Sequence, residues 1–268
     1  MKKMRILKTY GQLFEVNIKG DIIDYSRLSL TELPEIPTNF KTLMCNDNQI
    51  TELPELHDEL ESLICVNNQI TELPELPKTL TTLMCTDNQI SKLPELPDNL
   101  KSLYCGNNQI TELPELPSIL DLLDCKGNNI TELTELPDVL EFLNCENNKL
   151  SKLPELPKSL NGCSCVNNQL TELPELPDGL NILNCSSNNI TELPELPESL
   201  EKLGCENNNL SELPILPKNL KKLKCSGNNF SFVDLDGYWK WFHEYYPIHY
   251  PEIYKKYKIK QKRKDFNL

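Results

Sequence analysis

The sequence predicts a repeat solenoid: a parallel β-sheet along the concave side, extended chain along the convex side, and few or no helices outside a C-terminal cap. Three observations carry the prediction. A twenty-residue unit, x-x-Leu-x-Cys-x-x-Asn-Gln-Ile-Thr-Glu-Leu-Pro-Glu-Leu-Pro-x-x-Leu, recurs from residue 41 onward, and a fixed period of this length means stacked copies of one supersecondary unit. Within each unit Leu and Cys alternate with polar neighbours, the period-two pattern of a strand with one buried face. Each unit then carries a Leu-Pro-x-Leu-Pro segment, which cannot be helix because proline fixes φ, lacks an N–H and disfavours helix in the residue before it.

The chain divides into an N-terminal capping segment (1–20), the repeats (21–230) and an aromatic C-terminal cap with a basic tail (231–268). In the first segment Phe14, Val16 and Ile18 alternate, which suits a capping strand or hairpin. Residues 21–40 read as a degenerate first repeat, with Ile23 and Tyr25 at the inward positions and Leu28 where Asn belongs. About ten full repeats follow. Of the 20 Pro, 18 lie in the Leu-Pro-x-Leu-Pro segments, and only His57 and Thr134 depart from that rule. Beyond Phe230 both Trp of the protein appear, and Trp239, Phe242 and Tyr246 fall at helical spacing. A solenoid end has no neighbour to bury its face, so a cap is expected there.

Two columns define the interior. Asn48, Asn68, Asn88, Asn108, Asn128, Asn148, Asn168, Asn188, Asn208 and Asn228 keep the twenty-residue step. Each sits where the chain turns inward, and a carboxamide can both donate to and accept from backbone groups that no ladder satisfies. A buried structural spine is expected. Ten of the 11 Cys repeat in the same way, from Cys45 to Cys225. Free buried Cys behaves as a small hydrophobe, so packing is expected of this column. A disulfide chain would need distortion, because in-register side chains point the same way. Cys163 and Cys165 both face inward near Cys145 and Cys185, a thiol-rich place, but no Cys-x-x-Cys pair or nearby His suggests a metal site.

This pattern resembles the leucine-rich repeat family, in the twenty-residue form with Leu-Pro-x-Leu-Pro linkers found in bacterial effectors of the YopM and IpaH kind. The resemblance covers residues 21–230 and implies a horseshoe-shaped solenoid that binds proteins. The second strand position is Cys here where those effectors usually carry an aliphatic residue. With a Lys:Arg ratio of 24:3, no Ala and abundant Asn, the Cys-bearing version is similar to repeat proteins of giant DNA viruses of the mimivirus type. The IpaH effectors add a ubiquitin-ligase domain after their repeats; a fragment related to such a ligase is the least favoured reading, because about forty residues follow the repeats and every Cys has a predicted buried position.

Other classes have less support. The basic N-terminus has its apolar stretch broken by Lys8, Gly11 and Gln12, unlike the continuous core of a secretory signal. No apolar run approaches the roughly 18 to 20 residues of a membrane helix. A cytoplasmic location is expected, in the host if the chain is viral. In a secretory compartment the sequons at Asn129 and Asn189 would matter. The three His have no nucleophile beside them and there is no Gly-rich phosphate loop, so no enzyme activity, cofactor or metal is expected.

Charge separates the regions. Residues 31–230 hold 13 basic and 32 acidic residues, which disfavours nucleic acid along the repeats. Lys255, Lys256, Lys258, Lys260, Lys262, Arg263 and Lys264 give the tail the opposite character. Such a run suits a nuclear import signal or nucleic acid, and an effector directed there by its tail is the alternative reading.

The repeat leaves free the two residues that flank the buried Leu of each strand. One row reads Met44, Ile64, Met84, Tyr104, then Asp124 onward; the other turns apolar later, at Leu122, Phe142 and Ile182. Together they draw an apolar diagonal, with Lys202, Lys222 and Lys224 as a basic corner beyond it. A contiguous apolar line on a water-facing sheet suggests a contact surface. The expectation is a monomeric, non-catalytic module that binds a partner protein there.

Overall fold

The computed structural model describes residues 2–7, 13–38 and 40–230, with only the backbone course in 2–7 and 13–18. Its strands are β1 (Lys2–Leu7), β2 (Leu13–Lys19), β3 (Ile22–Asp24), β4 (Thr42–Met44), β5 (Ser62–Ile64), β6 (Thr82–Met84), β7 (Ser102–Tyr104), β8 (Leu122–Asp124), β9 (Phe142–Asn144), β10 (Gly162–Ser164), β11 (Ile182–Asn184), β12 (Lys202–Gly204) and β13 (Lys222–Lys224). They form one sheet in sequence order. The hairpin β1–β2 is antiparallel, and β2 pairs antiparallel with β3. From β3 to β13 the sheet is parallel, eleven strands in all. No helix occurs among the described residues. The expected C-terminal cap and basic tail, 231–268, lie outside the described residues.

Register is invariant. From β3 onward each strand pairs with the next at an offset of twenty residues, for example Leu83 with Leu103 and Leu103 with Leu123. The ladder continues past the strands, because Cys85 N–H donates to the carbonyl oxygen of Tyr104 at 2.8 Å. Leu43 and Cys45 and their counterparts are buried, as are Leu60, Ile50 and Leu53 and theirs over most of the chain. One continuous core therefore runs the length of the solenoid. In the degenerate first repeat, Ile23 and Tyr25 occupy the inward positions and are buried.

The Leu-Pro-x-Leu-Pro segments carry neither helix nor strand. Each closes in a β-turn that feeds the next strand: Leu80 N–H donates to the carbonyl oxygen of Pro77 at 3.0 Å, and Leu100 N–H to that of Pro97 at 2.9 Å. Glutamates of this side, such as Glu112 and Glu115, are exposed. Two adjacent segments enclose a groove between Leu93–Leu96 and Leu113–Leu116.

Candidate functional site

The Asn column holds the strands in place. In the central coils each carboxamide nitrogen donates to the carbonyl oxygen of its own Cys and to that of the Cys one coil earlier; Asn108, for example, reaches Cys105 at 3.1 Å and Cys85 at 3.0 Å. Its oxygen accepts from Ile90 N–H at 2.9 Å. The oxygen of Asn48 accepts from both Leu28 and Leu30, covering the place where the first repeat lacks its own Asn. Asn228 closes the series with bonds to Cys205, Cys225 and Leu210. From Asn68 to Asn208 the ladder is buried, and its two end members are half-buried.

A second column was not read from the sequence. Asp47, Asn67, Asp87, Asn107, Gly127, Asn147, Asn167, Ser187, Asn207 and Gly227 all have positive φ, between 51° and 71°. Their composition was the available signal, since Asn, Asp and Gly tolerate the left-handed region best. The turn they make aims the following Asn inward. Side chains also bridge coils here, as where Asn107 Nδ2 donates to Asp87 Oδ1 at 2.8 Å. Asn67 and Arg27 both donate to Asp47 and hold its carboxyl below the usual range.

Every thiol is free, and all but Cys225 are buried. Burial pushes Cys85, Cys125 and Cys185 up to about 12. A hydrogen bond with Cys163, then burial, holds Cys165 well above the ordinary thiol value. A protonated thiol is a poor nucleophile and a poor metal ligand. Among the described residues no group of three or more His, Cys, Asp or Glu could hold a metal ion.

On this scaffold the concave residues stand in two rows. Met44, Ile64, Met84 and Tyr104 are successive register partners, and the row goes on to Asp124, Asn144, Ser164, Asn184, Gly204 and Lys224. In the other row Ser102 pairs with Leu122 and Leu122 with Phe142. The apolar line therefore changes row between β7 and β8. Gly162 interrupts it without breaking it, because the Phe142 ring lies over that glycine: a Cβ there would be 3.0 Å from Phe142 Cδ1. Phe142 is 44% and Ile182 38% exposed, while Met44, Ile64, Met84, Tyr104 and Leu122 are half-buried. Beyond Ile182 come Lys202 and its register partner Lys222. Lys224 Nζ stands 3.9 Å from Glu206, and Lys221 pairs with Glu201 at 2.5 Å.

Parallel three-residue strands, one per twenty-residue coil and locked by Asn side chains that bind the coil before them, define a leucine-rich repeat solenoid. A family model described as Leucine Rich repeats (2 copies) matches residues 78–118. YopM from Yersinia enterocolitica is 39% identical, with 78% of this chain and 51% of that one covered and a TM-score of 0.68; the chain thus spans about half of that structure. YopM from Yersinia pestis is 33% identical, with 78% of each chain covered and a TM-score of 0.53. The functional domain of InlJ from Listeria monocytogenes, described as including a cysteine ladder, is 26% identical, with 81% of this chain and 56% of that one covered and a TM-score of 0.64. No curated protein matches the sequence. The chain belongs to the leucine-rich repeat family.

Proposed function

We propose that the chain is a non-catalytic interaction module that binds a partner protein through the concave face. The observation that carries this reading is the apolar line from Met44 through Tyr104 to Leu122, Phe142 and Ile182 on a surface that needs no apolar residues for stacking. Aromatic residues and Met are favoured in interface cores. The Asn spine fixes the strands, so these side chains are displayed with little ordering cost on binding. The parallel sheet spans roughly 48 Å at about 4.8 Å per strand, room for one domain or an extended peptide. On the reading that the Cys-bearing repeat is of viral type, the partner is a host cytoplasmic protein.

The test is affinity capture from host-cell lysate with wild type and a Tyr104→Asp, Phe142→Asp double variant, both verified as folded by circular dichroism. A protein retained by wild type and lost by the variant is the expected result. Equal retention by both overturns the concave reading.

A further inference from the structure

A third column runs along the lateral edge, in the turns just before the strands. Thr79 Oγ1 donates to the carbonyl oxygens of Asp58 and Leu60 in the preceding coil, both at 2.7 Å. Ser159 does the same to Asp138 and Leu140 at 2.8 and 2.7 Å. The equivalent residues Asn99 and Asn219 reach Lys78 and Glu198, and Ser199 reaches Leu180. Polar side chains at this place thus stitch successive turns together.

Glu59 and Gly179 have no side-chain donor at this position either, but two coils put an apolar side chain in its place. Ile119 and Val139 occupy the same position, have nothing to donate, and are 38% and 46% exposed. A residue that gives up a stabilising bond and presents apolar surface to water violates the local logic of the fold, and such violations concentrate at functional sites. The same two coils carry Leu122 and Phe142, three residues further on, where the concave apolar line changes row. Breach and shift coincide. The same and adjoining coils carry Lys101, Asp121 and Glu141 at the strand entry, in register with one another, and Asp98, Asp138 and Lys158 in the turn, within a repeat region of 32 acidic and 13 basic residues.

We propose that the docking surface continues from Leu122 and Phe142 over the edge to Ile119 and Val139, and that its occupant is a basic protein surface built round an apolar side chain. This rests on the concave reading above and adds the edge and the charge of the partner. An acidic rim round an apolar patch complements a basic rim round an apolar anchor, and the field of the whole solenoid favours the approach of such a surface.

The test uses the full chain and three cyclic peptides read by fluorescence anisotropy at low salt: one Trp flanked by Lys, the same Trp flanked by Glu, and the Lys peptide with Trp replaced by Ser. The Lys–Trp peptide binds wild type most tightly. An Ile119→Thr, Val139→Thr variant loses about tenfold in affinity, as expected when three partly buried apolar carbons leave a contact and two hydroxyls replace them, while its melting temperature does not fall because each hydroxyl can restore the seam bond. Phe142→Ser weakens binding as well. If Phe142→Ser loses binding and the edge variant does not, the edge is not part of the site and the concave reading stands alone. If neither variant changes affinity, both readings fall. Equal binding of the Glu–Trp peptide, no saturable binding of the Lys–Trp peptide, or a lower melting temperature in the edge variant each overturns the proposal.

Discussion

Asn128 and Cys105 stand 23 residues apart in the chain, and the carboxamide nitrogen of one lies 3.0 Å from the carbonyl oxygen of the other. The same nitrogen donates to Cys125 at 3.0 Å, and the side-chain oxygen accepts from Ile110 N–H at 3.0 Å. Asn128→Ala leaves the buried Ile110 N–H without its acceptor and takes one of two donors from each of the Cys105 and Cys125 carbonyls, which keep Asn108 and Asn148. The expected loss is about 2 to 4 kcal/mol of unfolding free energy, read from the urea midpoint by circular dichroism. Asn48→Ala, at the half-exposed end of the ladder, is expected to cost less because water can replace part of what is lost.

His57 stands where most other coils have proline, and its Nδ1 and Nε2 are buried with no hydrogen-bond partner among the described residues. His57→Pro removes both orphaned atoms and suits a backbone that already closes the proline-type turn, since Leu60 N–H donates to the carbonyl oxygen of residue 57 at 3.2 Å. A gain of about 0.5 to 1 kcal/mol is expected from the stiffer unfolded chain and the lost burial penalty. A lower melting temperature in the variant would contradict this.

The thiols make stability sensitive to alkali. Burial pushes Cys85 and Cys125 up to about 12 in the folded chain, against about 8.5 when unfolded. The unfolded state therefore loses protons first. Stability is unaffected below about pH 8.5 and falls between there and pH 12, by at most about 1.4 kcal/mol per pH unit for each such thiol. Urea midpoints measured under reducing conditions from pH 7 to 11 check the sign. Native alkylation with iodoacetamide should reach Cys225 first, the one thiol that is half-buried and is pushed up only to about 11.

Gly127 has a φ of 63°, and a Cβ added there would meet the movable carboxamide oxygen of Asn107 at 2.2 Å. Its counterparts Asn107 and Asn147 hold the same conformation. Gly127→Asn is expected to change stability by less than about 0.5 kcal/mol, whereas Gly127→Val forces a β-branched side chain into the left-handed region and costs about 1 to 2 kcal/mol. Thermal melts of the two variants make the comparison.

Much of the fold is legible because one unit is repeated: alternation at Leu83 and Cys85 marks the strand, and proline at 74 and 77 forbids helix. The inward Ile23 and Tyr25 of the degenerate repeat can be read the same way. The left-handed column was missed because Asp47 and Asn67 look like ordinary surface polar residues until their φ is known. The lateral seam was harder still. Thr79 earns its place through carbonyls 19 and 21 residues away, a relation that exists only once the coils are stacked in register. For the concave face the sequence yields which residues are free to vary, while the cover of Gly162 by the Phe142 ring depends on a rotamer and on the neighbouring strand.

The Asn bonds point one way along the solenoid. Ile110 N–H finds its acceptor in Asn128 and Ile130 N–H in Asn148, so each coil from Leu30 to Leu210 is completed by a residue synthesised 18 positions later. On the ribosome a newly emerged coil keeps an unsatisfied amide until the following one arrives, and order spreads from the N-terminus behind the nascent end. Growth by addition of whole twenty-residue units preserves that relay, and a deletion of any other length breaks it at one joint.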